Sequence, residues 1–185
     1  MKKLRCFVLL MGLLGLAQPS VTNAAVVLGF DPPPPQTFNS GDSVSVGLLV
    51  TGLDPEIVSA YDLDVSYDAS ILNANNVLFS TALGGPGDAL ENFNKLPGVV
   101  NLASVSLLSD ADLSTLQGSS VTLATIQFTA LSTGDTSSLA YSAWDLKGAG
   151  NKELQVVPLP AAVWLFGSGM AGLLGFARAK RGASA

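Results

Sequence analysis

Apolar and polar residues alternate along the middle of this chain with the period of two that marks a strand with one buried face. Val44, Val46, Leu48 and Val50 fall on one side of such a strand, and Ser43, Ser45, Gly47 and Thr51 on the other. Tyr61, Leu63, Val65 and Tyr67 repeat the pattern opposite Asp62, Asp64, Ser66 and Asp68. Ala124, Ile126, Phe128 and Ala130 repeat it again within residues 121–131. Weaker strand signals cover residues 25–30, 77–80, 99–108, 138–146 and 152–157, with the facing of 99–108 ambiguous. Turn chemistry separates these runs at Asn39-Ser40-Gly41-Asp42, at residues 52–56, at Ser132-Thr133-Gly134-Asp135 and at residues 147–151. The prolines of residues 32–35 read as stiff polyproline II and residues 70–76 as a tight connection. Residues 81–97, rich in Gly, Asn and Pro, read as an ordered excursion or a mobile loop, and residues 110–117 as one helical turn or a loop. About eight strands with no long helix predict an all-β sandwich.

The pattern changes at both ends. Lys2, Lys3 and Arg5 precede an apolar stretch from Cys6 to Ala17, and Thr22-Asn23-Ala24 supplies small residues for cleavage after Ala24. Residues 1–24 therefore read as a secretory signal peptide. At the other end, residues 162–177 carry no charge, and Arg178, Lys180 and Arg181 follow them within the basic tail 178–185. A helix over 162–177 is just long enough to span a bilayer. The basic cluster acts as a stop-transfer signal and belongs on the cytoplasmic side. Everything before that helix is expected outside the inner membrane. The one cysteine, Cys6, lies in the signal peptide, so the exported chain has no thiol and no disulfide.

Removing the two ends sharpens the charge. Only Lys95, Lys147 and Lys152 remain against all fourteen acids, a net charge of −11 with no Arg and no His. Such a surface repels nucleic acid. Without His or Cys there is no Ser/His or Cys/His nucleophile, and the acids are not set among the aromatic residues that line a sugar cleft. The expectation is a protein that is not an enzyme. Asp62, Asp64 and Asp68 are weak candidates for holding Ca²⁺, the one cofactor considered. Same-face neighbours on a strand lie roughly 7 Å apart, so the alternation favours a solvated polar face instead. Asp110-Ala111-Asp112 is not the start of an EF-hand loop, because Thr115 and Val121 occupy its glycine and glutamate positions. Among the rings, Tyr61, Tyr67 and Phe128 are expected in the core. Trp144, Tyr141 and Phe93 are the remaining candidates for a carbohydrate platform, with buried packing favoured for Trp144.

The order Val157-Pro158-Leu159-Pro160-Ala161, then the charge-free run, then the basic cluster, resembles a PEP-CTERM sorting signal in its VPLPA-CTERM variant, over residues 157–185. Leu159 stands where the parent motif has Glu. The resemblance implies recognition by an exosortase, a membrane-embedded protease, with cleavage near Val157–Ala161. It also implies association with exopolysaccharide and the biofilm matrix.

A second resemblance lies in the domain itself, residues 25–156. Gly41-Asp42-Ser43-Val44-Ser45-Val46, Tyr67-Asp68-Ala69-Ser70-Ile71-Leu72 and Leu123-Ala124-Thr125-Ile126-Gln127-Phe128 look like the opening strand, corner and late strand of a cohesin-type domain, in that order. This implies a jelly-roll-like sandwich. Cohesins of cellulosomes bind dockerins, and many cohesin-like domains on other secreted proteins have no known dockerin partner. The combined expectation is an exported, non-catalytic surface or matrix protein. It would meet an exosortase and, transiently, the inner membrane, and then an extracellular polysaccharide or surface protein. The alternative is a permanently anchored cohesin-type module that binds protein or carbohydrate.

Overall fold

The alternating runs form two sheets with their apolar sides facing each other. The computed structural model describes residues 25–158. The expected signal peptide with Ala24, the motif residues Leu159, Pro160 and Ala161, the charge-free run and Arg178, Lys180 and Arg181 lie outside the described residues. In chain order the strands are β1 (Val26–Asp31), β2 (Thr37–Phe38), β3 (Ser43–Thr51), β4 (Ala60–Ser66), β5 (Leu72–Phe79), β6 (Ala89–Leu96) and β7 (Val99–Ser106). A short helix, α1 (Asp110–Leu116), precedes β8 (Ser120–Ala130), β9 (Gly134–Asp135), β10 (Ala140–Lys147) and β11 (Val156–Pro158). One sheet has the order β11-β1-β3-β8-β5, the other β10-β4-β7-β6, and β2 pairs with β9 at one end. Among the described residues no helix is long and apolar enough to cross a membrane.

The expected faces hold. Val46, Leu48 and Val50 of β3, Leu63 and Val65 of β4, and Ala124, Ile126 and Phe128 of β8 are almost wholly buried. Tyr61, Tyr67 and Phe128 join that core, and the Tyr67 and Phe128 rings meet edge to face at 5.3 Å. Phe30 of β1 and Tyr141 of β10 stack at 4.6 Å, and the Tyr141 hydroxyl donates to the Gly29 carbonyl at 2.7 Å. This contact ties the two sheets together along one seam.

Several expectations need correction. Residues 81–97 are not a loop throughout: a single 3-10 turn at Thr81–Leu83 is followed by β6. β6 pairs with β7 over its whole length but is an edge strand, and none of its residues is fully buried. Its apolar residues therefore obey no clean period. β5 begins at Leu72, inside the expected connection 70–76, because a bulge between Ala74 and Asn76 breaks the alternation. Residues 110–116 form a helix, capped by Ser109, whose hydroxyl accepts from the Asp112 amide. Trp144 is not buried but 41% exposed. It lies opposite the buried Leu63, yet β10 is the outermost strand and leaves the ring at the rim.

The corner at Tyr67–Leu72 shows why that stretch is patterned as it is. The Asp68 carboxylate accepts from the Ser70 amide at 2.8 Å and from its hydroxyl at 2.6 Å. The Asp68 carbonyl accepts from the amides of Ile71 and Leu72. An aspartate that closes a turn on its own backbone releases the chain from β4 into β5.

Candidate functional site: the outer face of the four-stranded sheet

Cross-strand register decides which side chains share the outer face. On β4 these are Asp62, Asp64 and Ser66, since Tyr61, Leu63 and Val65 are buried. Ser66 lies opposite Val99, Asp64 opposite Asn101, Asp62 opposite Ala103 and Ala60 opposite Val105. On the far side of β7, Leu96 lies opposite Val99, Asn94 opposite Asn101, Asn92 opposite Ala103 and Leu90 opposite Val105. On the near side of β4, Ala143 lies opposite Asp64 and Asp145 opposite Asp62.

The face is therefore chemically graded. At the β10–β4 side it is acidic. Asp145 and Asp62 are direct cross-strand neighbours of like charge, a pairing that costs stability. Two contacts moderate it. The Asn101 amide donates at 2.8 Å to one oxygen of Asp62 and at 2.8 Å to one of Asp64. The Lys147 ammonium reaches Asp145 at 2.8 Å, and its hydrogen bond to that carboxylate holds its pKa above the ordinary lysine value. At the β7–β6 side the face is apolar at both ends. Leu90 and Val105 are 64% and 48% exposed, and Leu96, at 58%, lies beside Val99. Between those two pairs lie Asn92, Asn94 and Asn101.

The outer face of the five-stranded sheet contrasts with it at its middle rungs, although Leu78 of β5, opposite Thr125, is 49% exposed. Gln127 stands between Ser45 and Asn76, and Thr129 between Ser43 and Asn73. These rungs are uncharged and lack large apolar groups.

The sequence-derived candidates separate. Asp62 and Asp64 share the outer face, but Asp68 lies beyond the end of β4 in its turn, where its hydrogen bonds to Ser70 depress its pKa. Among the described residues no three carboxylates converge on one metal-sized site. Val157 and Pro158 of the tail motif are part of β11. Of the rings, Tyr141 is committed to Phe30, and Phe93 lies 6.4 Å from Phe79 in the opposite seam. Trp144 alone among those candidates is exposed. A cleft of about 490 Å³ opens beside Asn73, Asn75, Lys95 and Leu96, and the Lys95 ammonium donates to the Asn75 carbonyl there. Leu90, Leu96 and Asn101 had no legible role in the sequence, because their strands carried no clean alternation.

The family model for the cohesin domain matches residues 21–158. The chain belongs to the cohesin domain family. The cohesin domain is a non-catalytic protein-binding module, and cohesins are typically extracellular or displayed at the cell surface. Solved cohesins share the fold. The sixth cohesin of Acetivibrio cellulolyticus scaffoldin B, solved in complex with a Cel5 dockerin mutant, is 20% identical with a TM-score of 0.58, covering 73% of this chain and 94% of that one. Type II cohesin A11 from Bacteroides cellulosolvens is 13% identical with a TM-score of 0.59, covering 74% of this chain and 95% of that one. The third cohesin of Acetivibrio cellulolyticus scaffoldin B, from a type II cohesin–X-dockerin complex, is 14% identical with a TM-score of 0.54, covering 72% and 95%. Among curated proteins nothing matches this chain.

Proposed function

We propose that this cohesin domain docks a partner protein on the outer face of its four-stranded sheet, and that it does so outside the inner membrane. One observation carries the reading. The face combines an acidic half, Asp62, Asp64 and Asp145, with an exposed apolar pair, Leu90 with Val105, and an exposed Leu96 beside the half-buried Val99. The fitting partner is a protein that brings a basic side chain to the aspartates and apolar side chains to the Leu/Val ends. Apolar groups supply most of the affinity and complementary charge the orientation and on-rate. Two of the similar cohesins are described in complexes with dockerins, which makes a dockerin-like module the natural partner class.

The tail completes the proposal. The V-P-L-P-A motif, charge-free run and basic cluster support sorting by an exosortase after export, which delivers the domain to the cell surface or the extracellular matrix. Its partner there is a surface protein, and exopolysaccharide is the surrounding medium. The bound partner needs no catalysis from this chain.

A photo-crosslinking residue placed at Asn92, and separately at Gln127, in the full chain in its native cells tests the docking face. The expected result is a protein adduct from position 92 and none from 127. Adducts of equal yield from both positions, or from neither, contradict it.

A further inference from the structure

β6 ends the four-stranded sheet on one side, and among the described residues no strand lies beyond it. Its backbone groups divide by parity. The Leu107 amide donates to the Asp88 carbonyl, so the residues of β6 that bond across to β7 are every second one from Asp88: Leu90, Asn92, Asn94 and Leu96. The Tyr67 amide donates to the Gly98 carbonyl, which sets the same alternation from the other end of β7. The N–H and C=O groups of Glu91, Phe93 and Lys95 therefore point out of the sheet, toward an empty edge.

That edge reads the same in both directions apart from the sign of its charges: Leu90-Glu91-Asn92-Phe93-Asn94-Lys95-Leu96. Glu91 and Lys95 form no ion pair among the described residues, where Lys147 with Asp145 is the one present. They sit on one face of one strand, four residues and roughly 13 Å apart, too far to meet each other. The Lys95 ammonium donates to the Asn75 carbonyl instead. A single chain leaves both charges unmatched, together with the backbone between them.

We propose that two copies of this chain pair edge to edge through β6, antiparallel, about a two-fold axis at Phe93. In that register Glu91 of each copy lies opposite Lys95 of the other. Leu90 lies opposite Leu96 and Asn92 opposite Asn94 on the outer face, and the two Phe93 residues face each other. The free groups of residues 91, 93 and 95 complete the ladder. No other register matches the edge as well. A slip by one residue sets the outer face of one copy against the inner face of the other. Centring the pair on Glu91 or Lys95 puts like charges opposite each other, which is destabilising. Centring it on Asn92 or Asn94 pairs neither the charges nor the leucines. The contact is isologous and closes after two copies, so it covers an edge that would otherwise invite indiscriminate strand addition. The two sheets join into one of eight strands, with both outer faces open on the same side. The pairing does not depend on the docking reading above.

The photo-crosslinking residue at Asn92, in the full chain in its native cells, also tests this. The expected product is a self-adduct of twice the chain's mass, joined within residues 90–96 of the second copy, and its mass and peptides separate it from any partner adduct. Glu91→Lys alone, or Lys95→Glu alone, should lower its yield at least tenfold by setting like charges opposite each other. The double exchange, Glu91→Lys with Lys95→Glu, should restore it. Absence of a self-adduct, a yield unmoved by the single changes, or a double variant as low as the singles overturns the pairing. Loss of a partner adduct with the self-adduct intact would instead count against the docking reading alone.

Discussion

Gln117 holds the backbone of Val58 in both directions. Its side-chain oxygen accepts the Val58 amide at 2.7 Å, and its side-chain nitrogen donates to the Val58 carbonyl at 2.7 Å and to the Ala82 carbonyl at 2.9 Å. Gln117 is buried at the end of α1, so it acts as a one-residue strand for a segment that has no ladder of its own. Replacing it with Ala leaves the Val58 amide and the carbonyls of Val58 and Ala82 without these partners. Gln117→Ala is expected to cost about 2 kcal/mol, from the penalty of unsatisfied buried polar groups. Urea unfolding of wild type and variant measures this, and an unchanged midpoint would show that water takes over all three contacts.

The Phe30–Tyr141 stack predicts a graded series across the seam. Tyr141→Phe keeps the stack and loses the hydrogen bond to Gly29, for about 1 kcal/mol. Phe30→Ala removes the stacked partner and opens space, for about 3 kcal/mol. A Tyr141→Phe cost equal to that of Phe30→Ala would move the weight from packing to the hydroxyl.

Titration of the domain should be asymmetric. Burial raises the pKa of Tyr61, with the nearby Glu91 carboxylate adding to it, and burial raises that of Tyr141. Both phenols bind their protons more tightly folded than unfolded. Their contribution is therefore complete below pH 10, the ordinary tyrosine value, and is lost as the pH rises above it. Asp68 and Asp135 are depressed by hydrogen bonds from Ser70 and Ser137. Their contribution is complete above the ordinary value of 3.8 and is lost as the pH falls through their lowered values. Thermal melting across pH is expected to show a plateau at neutral pH, a steep alkaline fall and a shallow acid one. Conversion of both Tyr61 and Tyr141 to Phe should flatten the alkaline limb.

The charge on the outer face predicts a kinetic signature. Association with a basic partner should slow several-fold between low and physiological salt, while dissociation changes little. Asp64→Asn should reduce that salt dependence. Stopped-flow or surface-binding rates at two ionic strengths read it directly, and salt-independent association would assign the affinity to the apolar ends alone.

The sandwich was legible wherever one face of a strand is dry and the other wet. Tyr61, Leu63 and Val65 alternate because β4 lies inside its sheet, with β10 on one side and β7 on the other. Edge strands do not obey that rule. β6 was hidden because solvent reaches both its faces, and the β5 bulge at Asn75 shifts the period by one residue. Trp144 was misplaced for a related reason: its position has inner-face parity, but the sheet ends there. Cross-strand pairs such as Leu90 with Val105 and Asp62 with Asp145 join residues distant in sequence, so neither the apolar ends nor the acidic half could be assembled from one strand's pattern. That Val157 and Pro158 of the tail motif lie in β11 became visible only through the pairing with β1.

The most direct test of the account measures the affinity of the partner recovered by crosslinking from position 92. Three forms are compared: wild type, the Leu90→Asp/Val105→Asp double variant, and a Gln127→Asp control on the opposite sheet. The account predicts at least tenfold weaker binding for the double variant and wild-type binding for the control. Equal binding by all three, or an equal loss in the control, would contradict docking on the outer face of β10-β4-β7-β6.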